Sequence, residues 1–147
     1  MEKKDFLKAH KHYEKIEDMP MRELKKVIEQ AMDVKLSPIV PIPYKGGIPQ
    51  TIVYKCSELI ARCPMTLIPD FYTITITFIP NKHIPELKSL RDYFRDYFDI
   101  PISHEHLQAK IFSDFKKAIK PKRLRIELDA AIRGGIKTDI VYENNSK

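Results

Sequence analysis

A cysteine in a proline-bounded loop is the residue of this sequence best suited to covalent chemistry. Cys63 is followed by Pro64, and the loop closes at Pro69 and Asp70. Prolines at both ends restrict the backbone, so the loop could hold a thiol nucleophile beside a carboxylic acid. Arg62 is adjacent to the cysteine and could lower the pKa of the thiol. The competing interpretation is that Cys63 is buried and inert, as most cysteines are, and that Asp70 is an acid in a turn.

A histidine–glutamate–histidine triplet is the second candidate. His104, Glu105 and His106 follow Ser103, which is suited to cap a helix. On a helix, side chains two positions apart point in different directions, which disfavours one metal ion bound by both histidines. A glutamate carboxylate can instead accept two parallel N–H bonds from a nitrogen heterocycle. Solvated side chains at a helix start, and a zinc site that adds Cys63 to the two histidines, stay open as alternatives.

Positive charge is concentrated late in the chain. The formal net charge is +6, and seven cations fall within the sixteen residues 110–125. They are Lys110, Lys116, Lys117, Lys120, Lys122, Arg123 and Arg125. This exceeds what a helix C-terminus needs and favours an anionic partner such as RNA or a phosphorylated cofactor, although a solubility charge fits as well.

Length and composition indicate one domain with an N-terminal extension. The 147 residues suit a single core, and no apolar run approaches the roughly 18 to 20 residues of a membrane span. The chain begins without a secretory signal, so we expect a cytoplasmic protein with reduced cysteines. Residues 1–15 predict a frayed arm, Pro20 to Asp33 a short helix, and the prolines of 34–50 an extended linker. Residues 51–147 then form the core.

The core pattern predicts an α+β fold with the order ββααββ. Residues 51–60 and 72–78 favour strands, and the second alternates apolar residues with threonines. Two helices follow, one opened by Pro85 with an apolar stripe that includes Leu87, and one ended by Pro121. Residues 123–131 alternate again, and a glycine turn leads to a last strand. Two helices would therefore cover one face of a four-stranded antiparallel sheet.

Four motifs in this order resemble the nitrile reductase family of queuosine biosynthesis. They are Cys63 to Phe71, Glu86 to Arg91, His104-Glu105 and Arg133-Gly134-Gly135. The sequence departs from the family pattern at Leu67-Ile68, where Gly-Gln is usual, and at Asp92. The resemblance implies the tunnelling fold, in which subunits join their sheets into a multi-subunit barrel and stack as rings. It also implies active sites between subunits of a homo-oligomer.

The resemblance also implies a role for each motif. Cys63 would add to the nitrile carbon of 7-cyano-7-deazaguanine to form a thioimide, and Asp70 would donate and accept the proton. The base would be bound by Pro85, Glu86, Leu87, His104 and Glu105. NADPH would be bound by Lys88, Ser89 and Arg91. No metal is implied, and no membrane is involved.

A related archaeal branch implies a different second step. Its members act on the cyano base already placed in tRNA, where ammonia attacks the thioimide to form archaeosine, and they need no NADPH. Retention of Glu86-Leu87-Lys88-Ser89 favours the reductase, with a free deazaguanine base as substrate. The basic run favours modified tRNA. A non-catalytic RNA-binding member is a further alternative.

Overall fold

The structure is a computed structural model that describes residues 1–9 and 19–145. Four α-helices, six strands and one 3-10 turn are formed in the described residues. In chain order they are α1 Lys3–Ala9, α2 Met21–Asp33, β1 Pro41–Pro43, β2 Ile52–Arg62, β3 Pro69–Ile79, β4 His83–Pro85, α3 Leu87–Arg95, the 3-10 turn Asp96–Asp99, α4 His104–Ile119, β5 Arg123–Arg133 and β6 Ile136–Asn145.

A four-stranded antiparallel sheet forms the centre of the fold, with the order β2-β3-β5-β6. Alternate residues of β3 from Tyr72 to Phe78 are buried, as their spacing predicts. The rings of Phe78 and Phe115 on α4 lie 5.3 Å apart. Residues Ile74 and Ile76 line a cavity under α3. Both helices therefore cover one face of the sheet, and the predicted α+β class with its ββααββ core is confirmed.

The starts of α3 and α4 are fixed by side-chain caps. Ser103 accepts a hydrogen bond from the His106 N–H, which confirms its predicted capping role. Pro85 was predicted to open α3, but it ends β4, where it pairs with Pro41 of β1. Glu86 is the cap instead, so α3 begins at Leu87. The side chain of Leu87 is 57% exposed, and its predicted place in the buried stripe is wrong.

The prediction of a frayed arm is wrong for residues 1–9, because they contain α1. Phe6 on this helix is fully buried. The Lys3 ammonium donates to the Asp96 carbonyl over 2.8 Å and lies 2.7 Å from the Asp99 carboxylate. The helix is therefore held against the 3-10 turn. The rest of the predicted arm, residues 10–15, lies outside the described residues.

The segment before residue 50 shares the core of the sheet domain. Helix α2 ends at Asp33 as predicted, and its buried residues Val27 and Ala31 belong to the same apolar cluster as the sheet. The linker is extended, as its prolines predict, and β1 within it pairs with β4. The buried Lys110 donates to the Met32 carbonyl over 3.0 Å and joins α4 to α2. No helix in the described part of the chain is long and apolar enough to cross a membrane.

Candidate active site

The connection between β2 and β3 brings Cys63 and Asp70 to the same face of the sheet. Arg62 pairs with Pro69 and Ala61 pairs with Asp70 across the two strands. Because side chains alternate along a strand, Ala61, Cys63 and Asp70 all point toward the helices. Cys63 and Asp70 are each 7% exposed. The hairpin register thus places the predicted nucleophile and acid on one buried surface.

The loop itself is closed by short backbone bonds and one left-handed residue. The Cys63 N–H donates to the Ile68 carbonyl over 2.9 Å, and the Leu67 N–H donates to the Cys63 carbonyl over 3.0 Å. Leu67 has φ of +61°, a conformation that glycine adopts more easily. Leucine therefore occupies the strained position where the resembled family has glycine.

The environment of the Cys63 thiol favours its ionised form. Burial opposes ionisation, but hydrogen bonds from the Thr66 hydroxyl and from the backbone of Thr66 and Met65 outweigh it, and the charge of Arg133 adds to them. Together they lower the pKa of the thiol. The Thr66 N–H lies 3.4 Å from the sulfur. A lowered pKa increases the fraction of reactive thiolate.

Arg62 does not act on this thiol, so that expectation is wrong. Its Nε donates to the Phe98 carbonyl over 3.0 Å, and its guanidinium lies 4.8 Å from the centre of the Phe98 ring. Successive residues of a strand point to opposite faces, which explains why adjacency in sequence misled the prediction. The cation near Cys63 is Arg133, from the end of β5.

Asp70 has the properties of a proton donor. Burial raises the pKa of its carboxyl group, while the charges of Arg133 and His104 act in the opposite direction. The Arg133 Nη1 lies 3.3 Å from the Asp70 Oδ2. A thiol with a lowered pKa and a carboxyl group with a raised pKa are matched for transfer of a proton to a reacting atom.

Tyr72 and His104 extend the cluster to the start of α4. The Tyr72 hydroxyl lies 2.6 Å from the His104 Nδ1, and their rings meet edge to face at 5.3 Å. Burial and the nearby Asp70 raise the pKa of Tyr72, which keeps the hydroxyl protonated. This hydrogen bond orients the imidazole. Glu105 follows with an exposed side chain.

Sequence reasoning did not assign Arg133 or Tyr72 to the site. Arg133 was recognised as part of a motif but received no role. Tyr72 was predicted only as an apolar residue of the strand 72–78, although it is the next inward residue of β3 after Asp70 and so had to lie beside it. That spacing was the signal available for Tyr72.

The alternative zinc set is not brought together. The His104 Nδ1 faces Tyr72, whereas the His106 Nδ1 lies 2.5 Å from the Ser103 hydroxyl. Within residues 1–9 and 19–145, no group of three or more histidine, cysteine, aspartate or glutamate side chains is placed to hold a metal ion.

The Pro85–Arg91 segment lies at the other end of β2 from Cys63. Leu87 lines a cavity of about 350 Å³ together with Val53, at the start of β2. Cys63 follows the last residue of that strand. At about 3.3 Å per residue, the ten positions between them span roughly 30 Å. A single chain therefore does not unite this segment with the thiol.

The polar groups of that segment have partners within the chain. The Glu86 carboxylate accepts hydrogen bonds of 2.7 Å from the N–H groups of Lys88 and Ser89, which lower its pKa. The Ser89 hydroxyl donates to the Glu86 carbonyl and accepts from the Val40 N–H. The Lys88 ammonium lies 2.8 Å from the Asp92 carboxylate, and Arg91 lies beside the same acid. Glu86 and Ser89 thus stabilise the start of α3.

Part of the basic run serves internal contacts. Lys110 is buried and lies 3.5 Å from Asp114, besides its bond to α2. Arg123 and Arg125 form ion pairs with Glu143 on the neighbouring strand. The sequence had suggested that these three cations belong to a phosphate-binding surface. Their internal contacts show that they are not free to do so.

The hairpin holds a cysteine that can form a thiolate next to an acid that can carry a proton. This combination is typical of enzymes in which a sulfur nucleophile attacks an electrophilic carbon. Comparison with known proteins narrows this class. A family model described as "QueF-like protein" matches residues 69–147. The chain belongs to this family.

Relatives and a solved structure agree with that assignment. The NADPH-dependent 7-cyano-7-deazaguanine reductase of Chloroherpeton thalassium is 43% identical over 83 residues, 56% of this chain and 72% of that protein. The reductase of the same name from Anaeromyxobacter dehalogenans is 35% identical over 103 residues, 70% of this chain and 84% of the relative. The crystal structure of an archaeosine synthase QueF-Like in the apo form superposes with a TM-score of 0.62. It is 18% identical and covers 68% of this chain and 98% of its own. At that identity the likeness concerns the fold.

Proposed function

We propose that this chain is a cytoplasmic enzyme that forms a thioimide on the nitrile of 7-cyano-7-deazaguanine and reduces it with NADPH to the aminomethyl base used in tRNA queuosine biosynthesis. The observation that carries the proposal is the common buried face of Cys63 and Asp70, one with a lowered and one with a raised pKa. The names of the reductase relatives support the substrate and the reductant.

The first step needs only groups of this chain and the substrate. The Cys63 thiolate attacks the nitrile carbon, and a sulfur–carbon bond forms as one carbon–nitrogen π bond is broken. The nitrogen takes the proton of the Asp70 carboxyl group, which leaves a carboxylate. A rigid hairpin supplies both groups in fixed geometry, which lowers the entropic cost of the addition.

His104 and Glu105 are proposed to hold the deazaguanine ring. The Glu105 carboxylate is exposed at the start of α4 and can accept a pair of N–H bonds from the base. The hydrogen bond between the Tyr72 hydroxyl and the His104 Nδ1 fixes the His104 ring beside Glu105. Substrate contact by Pro85, Glu86 and Leu87 requires a second subunit, because in the same chain they lie at the far end of β2.

A multi-subunit barrel with stacked rings is therefore part of the proposal. The strands β2 and β6 are the outer strands of the four-stranded sheet, and joining them between subunits would pair both edges. A test is to mix Cys63→Ala with Glu86→Gln subunits after reversible dissociation. If the site is shared, about a quarter of all sites in an equal mixture regain both native groups. Two inactive variants that stay inactive on mixing would contradict a shared site.

Two of the three side chains predicted to bind NADPH are cations suited to its phosphates, and the third is not. Lys88 and Arg91 are exposed and positively charged, and Arg91 lines the cavity between α3 and β2. They would have to release Asp92 to bind a phosphate. The Ser89 hydroxyl does not fit that task, because the backbone already uses it as donor and acceptor. When bound, NADPH would supply hydride to the substrate carbon.

Covalent capture is the direct test of this function. We expect intact mass to show an adduct with the free cyano base that is absent from Cys63→Ala and present in the control Cys56→Ala. NADPH oxidation should follow with the free base. Ammonia incorporation into cyano-bearing tRNA without NADPH oxidation would assign the chain to amidine formation instead. No adduct with either substrate would reject the proposal.

A further inference from the structure

A β-bulge near the end of β5 turns Arg133 toward the helix-covered face. Inward residues of this strand alternate up to Ala130, so strict alternation would next bury Ile132 and expose Arg133. The pairing with β6 shifts between Ala130 and Arg133, and Ile132 is instead 68% exposed. An extra residue in a strand re-aims the side chains after it, and bulges are common beside active sites.

The turn that follows Arg133 in the chain also fixes its position. Gly134 and Gly135 have φ of +56° and +78°, so they form a tight turn that side chains would strain. Arg133 pairs with Ile136 across this turn. The strand therefore ends at the arginine, and its side chain does not depend on a long flexible loop.

Arg133 supplies a positive charge that acts on both reacting groups of the hairpin. Its Nη1 lies 3.3 Å from the Asp70 Oδ2, and that buried oxygen has no hydrogen bond among the described residues. The same guanidinium is near enough to Cys63 to act on its ionisation. The other titratable groups facing this cluster are Tyr72, which stays protonated, and His104, with the exposed Glu105 beyond them.

We propose that Arg133 is a positioning residue that balances the single negative charge shared by Cys63 and Asp70. This rests on the proposed function. Before addition, the charge is on the sulfur and the proton is on Asp70. After addition, the sulfur is bonded to carbon, the proton is on the former nitrile nitrogen, and the charge is on the Asp70 carboxylate. The net charge beside Arg133 stays the same throughout, so the addition moves charge between two sites that one guanidinium compensates.

The pH dependence of thiol alkylation tests this without any substrate. In a Cys56→Ala background, the rate of reaction of Cys63 with iodoacetamide is measured between pH 5 and 10. Arg133→Gln should shift the half-maximal rate to higher pH and slow the reaction about fivefold at pH 7, the factor for ~1 kcal/mol of charge attraction in a water-like dielectric. Arg125→Gln is the matched control, because Arg125 is on the same strand and is 39% exposed against 38% for Arg133.

Arg133→Lys separates charge from packing. Lysine keeps a positive charge at the end of β5, so the alkylation profile of Arg133→Lys should stay close to that of the parent. A profile in Arg133→Gln that matches the parent, or an equal shift in Arg133→Lys and Arg133→Gln, would overturn the proposal. A shifted profile in a protein that forms no nitrile adduct would support the charge balance and reject the proposed substrate.

Discussion

Phe6 offers the sharpest test of whether the N-terminal helix belongs to the folded domain. Its side chain is fully buried in the common core, and truncation of a buried phenylalanine costs about 3 to 5 kcal/mol. The loss cannot exceed the free energy that docks α1, because the helix can detach while the sheet stays folded. A seven-residue helix is not stable alone and is held by its contacts. For Phe6→Ala we therefore expect a loss of roughly 1 to 3 kcal/mol.

Two measurements check this expectation. Urea unfolding gives the loss of stability, and hydrogen exchange of residues 3–9 shows whether α1 has detached. Lys4→Ala is the matched control, since Lys4 is exposed on the same helix and should change stability by less than about 0.5 kcal/mol. Equal stability of Phe6→Ala and Lys4→Ala, with unchanged exchange, would refute the packing of Phe6 in the core.

Three further predictions concern single side chains. Burial raises the pKa of Asp70 in the folded chain above its unfolded value, so ionisation of this carboxyl group lowers the stability of the parent protein as pH rises above about 4. Asp70→Asn should therefore become more stable relative to the parent as pH rises above that point in urea titrations, and a difference that does not change with pH would contradict this. Tyr72→Phe removes the bond to His104, worth about 1 kcal/mol, and should raise KM for the base roughly fivefold at similar kcat; the reverse pattern in steady-state kinetics would count against a binding role. Lys120→Gly relieves a left-handed residue with φ of +51° at the end of α4, so thermal unfolding should show a gain of about 0.5 to 1 kcal/mol, and a loss would disprove the strain.

Periodicity was sufficient to predict the sheet and its covering helices. The alternation of Leu124, Ile126 and Leu128 identified the buried face of β5, and all three are buried. The helix cap at Ser103 was also recognisable, because a serine before an apolar period has one common use. These features depend on neighbours in sequence, which is why one sequence was enough.

Features that depend on distant contacts were not predictable in this way. Phe6 and Leu7 form only a short apolar pair in a polar segment, and the burial of Phe6 depends on a surface formed by later elements. The bulge that turns Arg133 inward is a register shift against β6, which alternation within β5 does not reveal. The choice of Arg62 as the partner of Cys63 failed for a different, local reason, because adjacent residues of a strand point to opposite faces. The site motifs were found through resemblance, but their division between the two ends of β2 required the fold.

The anchoring of α1 bears on the order in which the molecule is assembled. Lys3 bonds to Asp96 across a sequence separation of 93 residues, so its acceptor is synthesised well after the helix. Closing so long a loop costs conformational entropy, and the free energy of this one hydrogen bond offsets little of that cost. The helix can therefore be held only once Asp96–Asp99 has packed against β2. We therefore expect α1 to become ordered after the later elements that hold it, although it precedes all of them in the chain.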